Sequence, residues 1–277
     1  MKEPIPLSVL HGGQSGDEVS LIRDELGTLV VQKKSGSAAS RLGQQVQKIA
    51  DFPHSEHIRV PKIVSPWDGS RYAMEYIPSR VLGDFIAVAS LKEVTALGDA
   101  LMGFIGERLS ESPSANRVVA DLASFAQKIE GLEQAHHSDP HRLRAVDELR
   151  RCSLDVPFLP GFNHGDFSFE NVLIERQTNR VWLVDPIVSP IESPLIDLGR
   201  FLLDLEHGWW SSFRSEKGSE KVARSMLLNS VRNLTESWGI DAASLRFFKQ
   251  LAALRILPYT KDVGRSALLD EAISIGM

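Results

Sequence analysis

The sequence predicts an α+β protein of two lobes: a small β-rich N-lobe over residues 1–77 and a larger, helical C-lobe over residues 78–277. Short apolar runs separated by turn residues fill the first third, with one helical stretch among them. From Leu82 onward apolar residues recur at three- and four-residue spacing. A single hairpin pattern, residues 171–185, interrupts those helices.

In chain order, Ile5–Leu10, Val19–Arg23 and Thr28–Lys34 read as three strands of an antiparallel meander, with the Gly-rich stretch His11–Asp17 and the turn Asp24–Gly27 between them. Ser37–Asp51 switches to helical period, with Leu42, Val46 and Ile49 on one face and Ser37 as N-cap. Arg59–Val64 and Arg71–Ile77 predict a strand pair, and Pro78-Ser79 ends the lobe. Leu91–Leu109, Val118–Leu132 and His141–Cys152 are amphipathic helices. The hairpin Asn171–Glu175 and Val181–Asp185 follows, and helical pattern resumes from Pro194.

Hydrophobic residues at 43% and charged residues at 24% exclude disordered and fibrous classes. Thirty-one Lys and Arg against 36 Asp and Glu leave a net charge of −5, which argues against a nucleic-acid partner. The single cysteine, Cys152, excludes an internal disulfide framework and a multi-cysteine zinc site. It has no neighbouring basic cluster and reads as a packing residue in a reducing compartment. No run reaches the ~18 apolar residues of a membrane span, and the opening Met1-Lys2-Glu3-Pro4 does not make a signal peptide. The expectation is a soluble, cytoplasmic chain without a membrane partner; its oligomeric state is not legible.

The informative segment is Asn163-His164-Gly165-Asp166-Phe167-Ser168-Phe169-Glu170-Asn171. Asp166 and Asn171 flank a loop that leads into a strand, and the next strand, Val181–Val184, delivers Asp185. Two acids and an amide at the ends of adjacent strands suit phosphoryl transfer. One carboxylate orients a hydroxyl, while the other and the amide oxygen hold Mg²⁺ on nucleotide phosphates. The bland alternative is a polar turn with incidental acids.

His164-x-Asp166-x-x-x-x-Asn171, followed by Asp185, resembles the H-x-D-x-x-x-x-N…D pattern of the aminoglycoside phosphotransferase and choline kinase group, which shares the two-lobed protein-kinase-like fold. The resemblance implies Asp166 as catalytic base, Asn171 and Asp185 as metal ligands, and His164 as the motif histidine that braces the loop. It implies ATP or GTP with Mg²⁺ as cofactors and a small-molecule hydroxyl as acceptor. Lys33 matches the lysine that contacts the phosphates, because strand alternation puts Val31 and Lys33 on one face; two solvated lysines, Lys33 and Lys34, are the alternative. Gly12, Gly13 and Gly16 stand either as a phosphate lid or as a plain hairpin loop. Met74-Glu75-Tyr76-Ile77-Pro78 resembles the hinge, with Met74, Glu75 and Ile77 against the base. Asp197 resembles the aspartate that braces the catalytic loop's backbone.

Three departures matter. The Ala38–Asp51 helix contains no glutamate to pair with Lys33, and Gln45 stands nearest that position. Pro186-Ile187 follows Asp185 in place of Phe-Gly. Ser168 stands where Ser/Thr protein kinases have lysine, and no A-P-E element is present, so a protein substrate is disfavoured. Residues 186–277 hold 11 acids and 11 bases, which argues against a polycationic acceptor. Asp204, Glu206, His207, Trp209 and Trp210 either line an acceptor pocket or pack in the core. His136, His137 and His141 read as a solvated loop, since Pro140 spoils a helical metal pair. The expectation is a kinase for a sugar-like or amino-alcohol metabolite; the alternative is a nucleotide-binding pseudokinase with a regulatory role.

Overall fold

A computed structural model describes residues 8–10, 17–36, 39–111, 122–152, 159–189, 191–210, 217–260 and 262–274. The strands β1 (Ser8–Leu10), β2 (Glu18–Arg23) and β3 (Leu29–Lys34) form the expected meander. The helix α1 (Ala39–Ala50) follows, then β4 (Ile58–Arg59), β5 (Ile63–Ser65), β6 (Arg71–Glu75) and β7 (Ser79–Val81). The first sheet has the order β1-β2-β3-β6-β5. In it β3 is the centre: Val30, Val31 and Lys33 are buried while Lys34 is exposed. The glycines Gly12, Gly13 and Gly16, and the expected N-cap Ser37, lie outside the described residues.

The expected strand Arg59–Val64 is divided. Pro61 lacks an N–H and stops the ladder, so Ile58–Arg59 pairs in parallel with β9 (Val181–Leu183) while Ile63–Ser65 pairs with β6. The second sheet is thus β4-β9-β8-β7, with β8 spanning Val172–Glu175. The segment at Pro78-Ser79, expected to end the N-lobe, leads into β7, which pairs with β8.

The helical part comprises α2 (Leu82–Ile86), α3 (Leu91–Ser110), α4 (Leu122–His136), α5 (Pro140–Cys152), α6 (Pro194–His207), α7 (Gly218–Ser237), α8 (Ala242–Ile256) and α9 (Val263–Ser274). Local chemistry marks the ends. Ser90 and Glu93 form a reciprocal capping box at α3. Ser193 caps α6, Pro194 opens it, and Gly208 closes it at φ 61°. No described helix is long and apolar enough to cross a membrane.

Helix α6 is the axis of this part: every residue from Pro194 to Leu205 is buried. Gly199 permits that depth, since a Cβ there would lie 2.5 Å from the Phe248 backbone carbon of α8. The same helix carries Asp197, Arg200 and Asp204 at i, i+3 and i+7, which lines three charges along one face. That face meets the 163–171 loop.

Candidate active site

Two phenylalanines fix the 163–171 loop from below. Phe167 and Phe169 are buried, and their rings stand 5.3 and 5.4 Å from that of Phe201 on α6. Burying each contributes about 2 kcal/mol. From α6, Asp197 accepts the backbone N–H of His164 at 2.6 Å and of Gly165 at 2.8 Å, as the sequence resemblance implies for a bracing aspartate. Gly165 adopts φ 88°, and a Cβ there would lie 2.2 Å from the Ile187 carbonyl, so only glycine fits.

This bracing presents the Asp166 carboxylate. Its Oδ1 accepts from Arg200 Nε at 2.9 Å and its Oδ2 from Asn171 Nδ2 at 2.9 Å. Arg200 is buried and also donates to Asp204 at 3.2 Å, while Asp204 accepts the Phe169 N–H at 2.8 Å. Asn171 Nδ2 additionally reaches the Asp166 carbonyl at 2.9 Å, which turns the amide oxygen away from Asp166. Asp185 arrives from the neighbouring strand: Val172 pairs with Leu183, and Val184 N–H donates to the Asn171 carbonyl at 3.0 Å. Its φ is 61°, a left-handed conformation that Asp tolerates better than most residues.

From β3, Lys33 Nζ meets Asp185 Oδ1 at 2.5 Å. Of the expected site residues, the structure therefore joins Lys33 to Asp185 and Asp166 to Asn171. Gln45 turns elsewhere: it is buried and accepts from the Tyr72 hydroxyl at 3.4 Å. Burial raises the Tyr72 hydroxyl, which keeps it neutral.

Met74 and Ile77 are buried at the expected hinge, and Met74 pairs in register with Val31. Two backbone groups there already have partners: Glu75 N–H donates to the Lys62 carbonyl at 2.9 Å, and Ser79 Oγ donates to the Ile77 carbonyl at 3.0 Å.

His164 is fully buried. Burial pushes its imidazole down to about 4, with Asp166 opposing, so the ring stays neutral. As pH falls from about 6.5 to 4, the unfolded chain binds a proton there that the folded chain does not. This histidine therefore withdraws up to about 1.4 kcal/mol of stability per pH unit. His164→Gln removes that dependence. Its stability deficit against wild type, measured by urea unfolding, shrinks as pH is lowered through this window; a constant deficit contradicts the prediction. Burial raises the Asp197 carboxyl to about 7, a dependence of opposite sign that both proteins share.

The site residues that sequence reasoning missed are Arg200, Lys48 and Asn163, while Asp204, expected as an acceptor-pocket or core residue, holds Arg200 and the Phe169 N–H. For Arg200 a signal existed, since charges at i, i+3 and i+7 with Asp197 break an otherwise apolar helix. The tryptophans resolve to packing. Trp209 is buried under the Arg265 guanidinium, 4.6 Å from its ring centroid, and Trp210 sits against Gly83. Glu206 pairs with Lys249 at 2.5 Å. His136, expected in a solvated loop, is instead buried at the end of α4, with Nε2 2.9 Å from the Leu254 carbonyl. Among the described residues no group of three or more His, Cys, Asp or Glu could hold a metal unaided. An Asp–Asn pair suits Mg²⁺, which is commonly bound by one or two carboxylates together with substrate phosphates.

Fold and cluster together define a class: a two-lobed phosphotransferase with the protein-kinase-like fold. The chain belongs to the phosphotransferase enzyme family APH, whose family model matches residues 6–221. Membership makes it a small-molecule phosphotransferase with a hydroxyl group as acceptor. No curated protein matches the sequence. Among solved structures, the GDP and kanamycin complex of APH(2")-IIia aligns at TM-score 0.63 and 18% identity, over 99% of this chain and 96% of that one. The streptomycin–ATP–APH(2")-IIa ternary complex aligns at 0.59 and 17%, over 99% and 90%. A glucosamine kinase aligns at 0.54 and 15%, over 96% and 79%. At these identities the likeness is one of fold.

Proposed function

We propose that the protein transfers the γ-phosphoryl of ATP or GTP to a hydroxyl of a sugar-like or amino-alcohol metabolite, in a cleft between lobes 1–77 and 78–277. The observation that carries this reading is the Lys33–Asp185 ion pair at 2.5 Å, beside the Asp166–Asn171 hydrogen bond. A strand of the first sheet, the 163–171 loop and the segment after β9 supply the cation, the two carboxylates and the amide that this reading needs.

Asp166 takes the acceptor's hydroxyl proton. Each of its oxygens accepts one protein hydrogen bond and keeps a second lone pair for a hydroxyl. As the acceptor oxygen bonds to the γ-phosphorus, the bond from that phosphorus to the bridging oxygen breaks and a nucleoside diphosphate leaves. Asn171, through its amide oxygen, and Asp185 would hold Mg²⁺. When bound, that ion supplies charge neutralisation on the phosphates. Lys33 contacts the phosphates, and Met74, Glu75 and Ile77 line the base. Gly12, Gly13 and Gly16 would cover the phosphates, and His164 braces the loop. The work of the protein is positioning and electrostatics.

Two relatives by fold are solved with aminoglycosides and a third is a glucosamine kinase. The balanced charge of residues 186–277 favours the less cationic end of that range as acceptor. A second reading, nucleotide binding without turnover, is favoured by one observation: Gln45 bonds Tyr72, so α1 supplies Lys33 with no carboxylate. Phosphorus NMR of wild type with ATP or GTP, Mg²⁺ and a panel of sugars and amino alcohols separates the two. The first reading predicts diphosphate formation that depends on the acceptor, with a new phosphate monoester. Bound nucleotide that stays intact with every acceptor favours the second.

A further inference from the structure

In α1, one turn after Gln45, Lys48 is buried and reaches across to the other lobe. Its Nζ donates to the Ile187 carbonyl at 2.9 Å and to Asn163 Oδ1 at 3.3 Å, lies 3.8 Å from Glu192 Oε1, and stands 5.3 Å from the Phe162 ring centroid. The partners are themselves interlocked. Asn163 Nδ2 donates to the Ile191 carbonyl at 3.1 Å and to Glu192 Oε2 at 3.0 Å, and Ile187 N–H donates to the His164 carbonyl at 2.9 Å. One ammonium therefore ties α1 to the start of the 163–171 loop and to the segment that leaves Asp185. A buried lysine is costly unless its protons are satisfied, and here a carbonyl, an amide oxygen and a carboxylate surround it. Burial lowers the Lys48 ammonium, while Glu192 and Asp197 oppose that shift.

Only one residue, Pro186, separates Ile187, whose carbonyl Lys48 holds, from Asp185, whose backbone sits in the left-handed region at φ 61°. Such a turn persists where its surroundings over-determine it. We propose that Lys48 is a positioning residue: by holding the Ile187 carbonyl it fixes the turn that aims the Asp185 carboxylate into the cleft. In this chain, α1 is thereby coupled to the phosphate-handling loop through Lys48, since Gln45 carries no charge. The inference rests on the proposed role of Asp185 in holding Mg²⁺, and the test separates the two.

Affinity for ATP and GTP is titrated with the full chain, in saturating Mg²⁺ and in EDTA, for wild type, Lys48→Met, Lys48→Arg and Asp185→Asn. A charge-assisted hydrogen bond is worth about tenfold or more in an equilibrium constant. In Lys48→Met the gain in affinity on adding Mg²⁺ falls by about tenfold, affinity in EDTA stays within about threefold of wild type, and Lys48→Arg recovers most of the loss. A wild-type gain in Lys48→Met overturns the inference. So does a loss of equal size with and without Mg²⁺, which is what general loosening would produce. If Lys48→Met keeps the gain while Asp185→Asn loses it, only the Lys48 inference fails; if Asp185→Asn also keeps it, the reading beneath fails too. Should Lys48→Met not fold, Glu192→Gln is the substitute, at a side chain 55% exposed. It weakens the same network, with an expected loss of about threefold in the Mg²⁺ gain, and no change overturns the inference.

Discussion

Asp166→Asn lowers kcat by about 10²–10⁴-fold, the usual contribution of a general base, while nucleotide affinity changes by less than about threefold. The variant is chosen for its shape. Asn keeps an oxygen for Arg200 Nε, which donates to Asp166 Oδ1 at 2.9 Å, so the loop held by Asp197 stays in place. What Asn cannot do is take a proton from the acceptor hydroxyl. Because that interaction exists only as the hydroxyl attacks, kcat and kcat/KM fall together and KM for the nucleotide stays near wild type. Steady-state kinetics on the best acceptor from the panel measures this. A kcat within tenfold of wild type would remove Asp166 from the role of base. A loss confined to KM would make it a binding residue.

The second large effect is expected at Asp185. Replacing it with Asn keeps a residue type that tolerates φ 61°, where Ala would add backbone strain to the loss of charge. The variant removes the carboxylate that faces Lys33 at 2.5 Å and that we propose holds Mg²⁺. Losing groups that merely orient metal ligands costs about 10–100-fold in metal affinity, so losing a ligand costs about 100-fold or more. In calorimetric titrations, nucleotide then binds Asp185→Asn with nearly equal affinity in Mg²⁺ and in EDTA, whereas wild type binds far better in Mg²⁺. The same change leaves the buried Lys33 ammonium without its counter-charge and lowers the stability of the fold, so the comparison is made within each protein, with and without Mg²⁺. A Mg²⁺ dependence equal to that of wild type contradicts the assignment.

The parts of this site that were legible in the sequence are the parts made by short-range geometry. Asp166, Asn171 and Asp185 lie on one loop and one hairpin, so spacing alone brings them together. Strand alternation separates Lys33 from Lys34 and the resemblance to the kinase strand pattern selects Lys33; the structure buries Lys33 and exposes Lys34. Asp197 was legible through its resemblance to the aspartate that braces the loop in this fold, at the start of a helix. What escaped are contacts whose partners lie far along the chain. Lys48 reaches Asn163 and Ile187 over 115 and 139 residues, and nothing periodic links those segments. The strand β4 is two residues long and joins β9 only because tertiary packing brings it there; Pro61 was the available sign that the run would break. The burial of His136 depends likewise on α8, which supplies the Leu254 carbonyl. Trp209 could be read as ligand-stacking or core until its neighbour Arg265 was known.

If Lys33, Asp166, Asn171 and Asp185 form a nucleotide phosphate site that works with Mg²⁺, nucleotide stabilises the fold only when the ion is present. Thermal denaturation of wild type with ATP or GTP, with and without Mg²⁺, tests it most directly. At a nucleotide concentration about a hundredfold above Kd, a ligand that binds only the folded chain stabilises it by about 2.7 kcal/mol. Tm is expected to rise with at least one nucleotide, and the rise to require Mg²⁺. No rise with either nucleotide, or a rise indifferent to Mg²⁺, would contradict it.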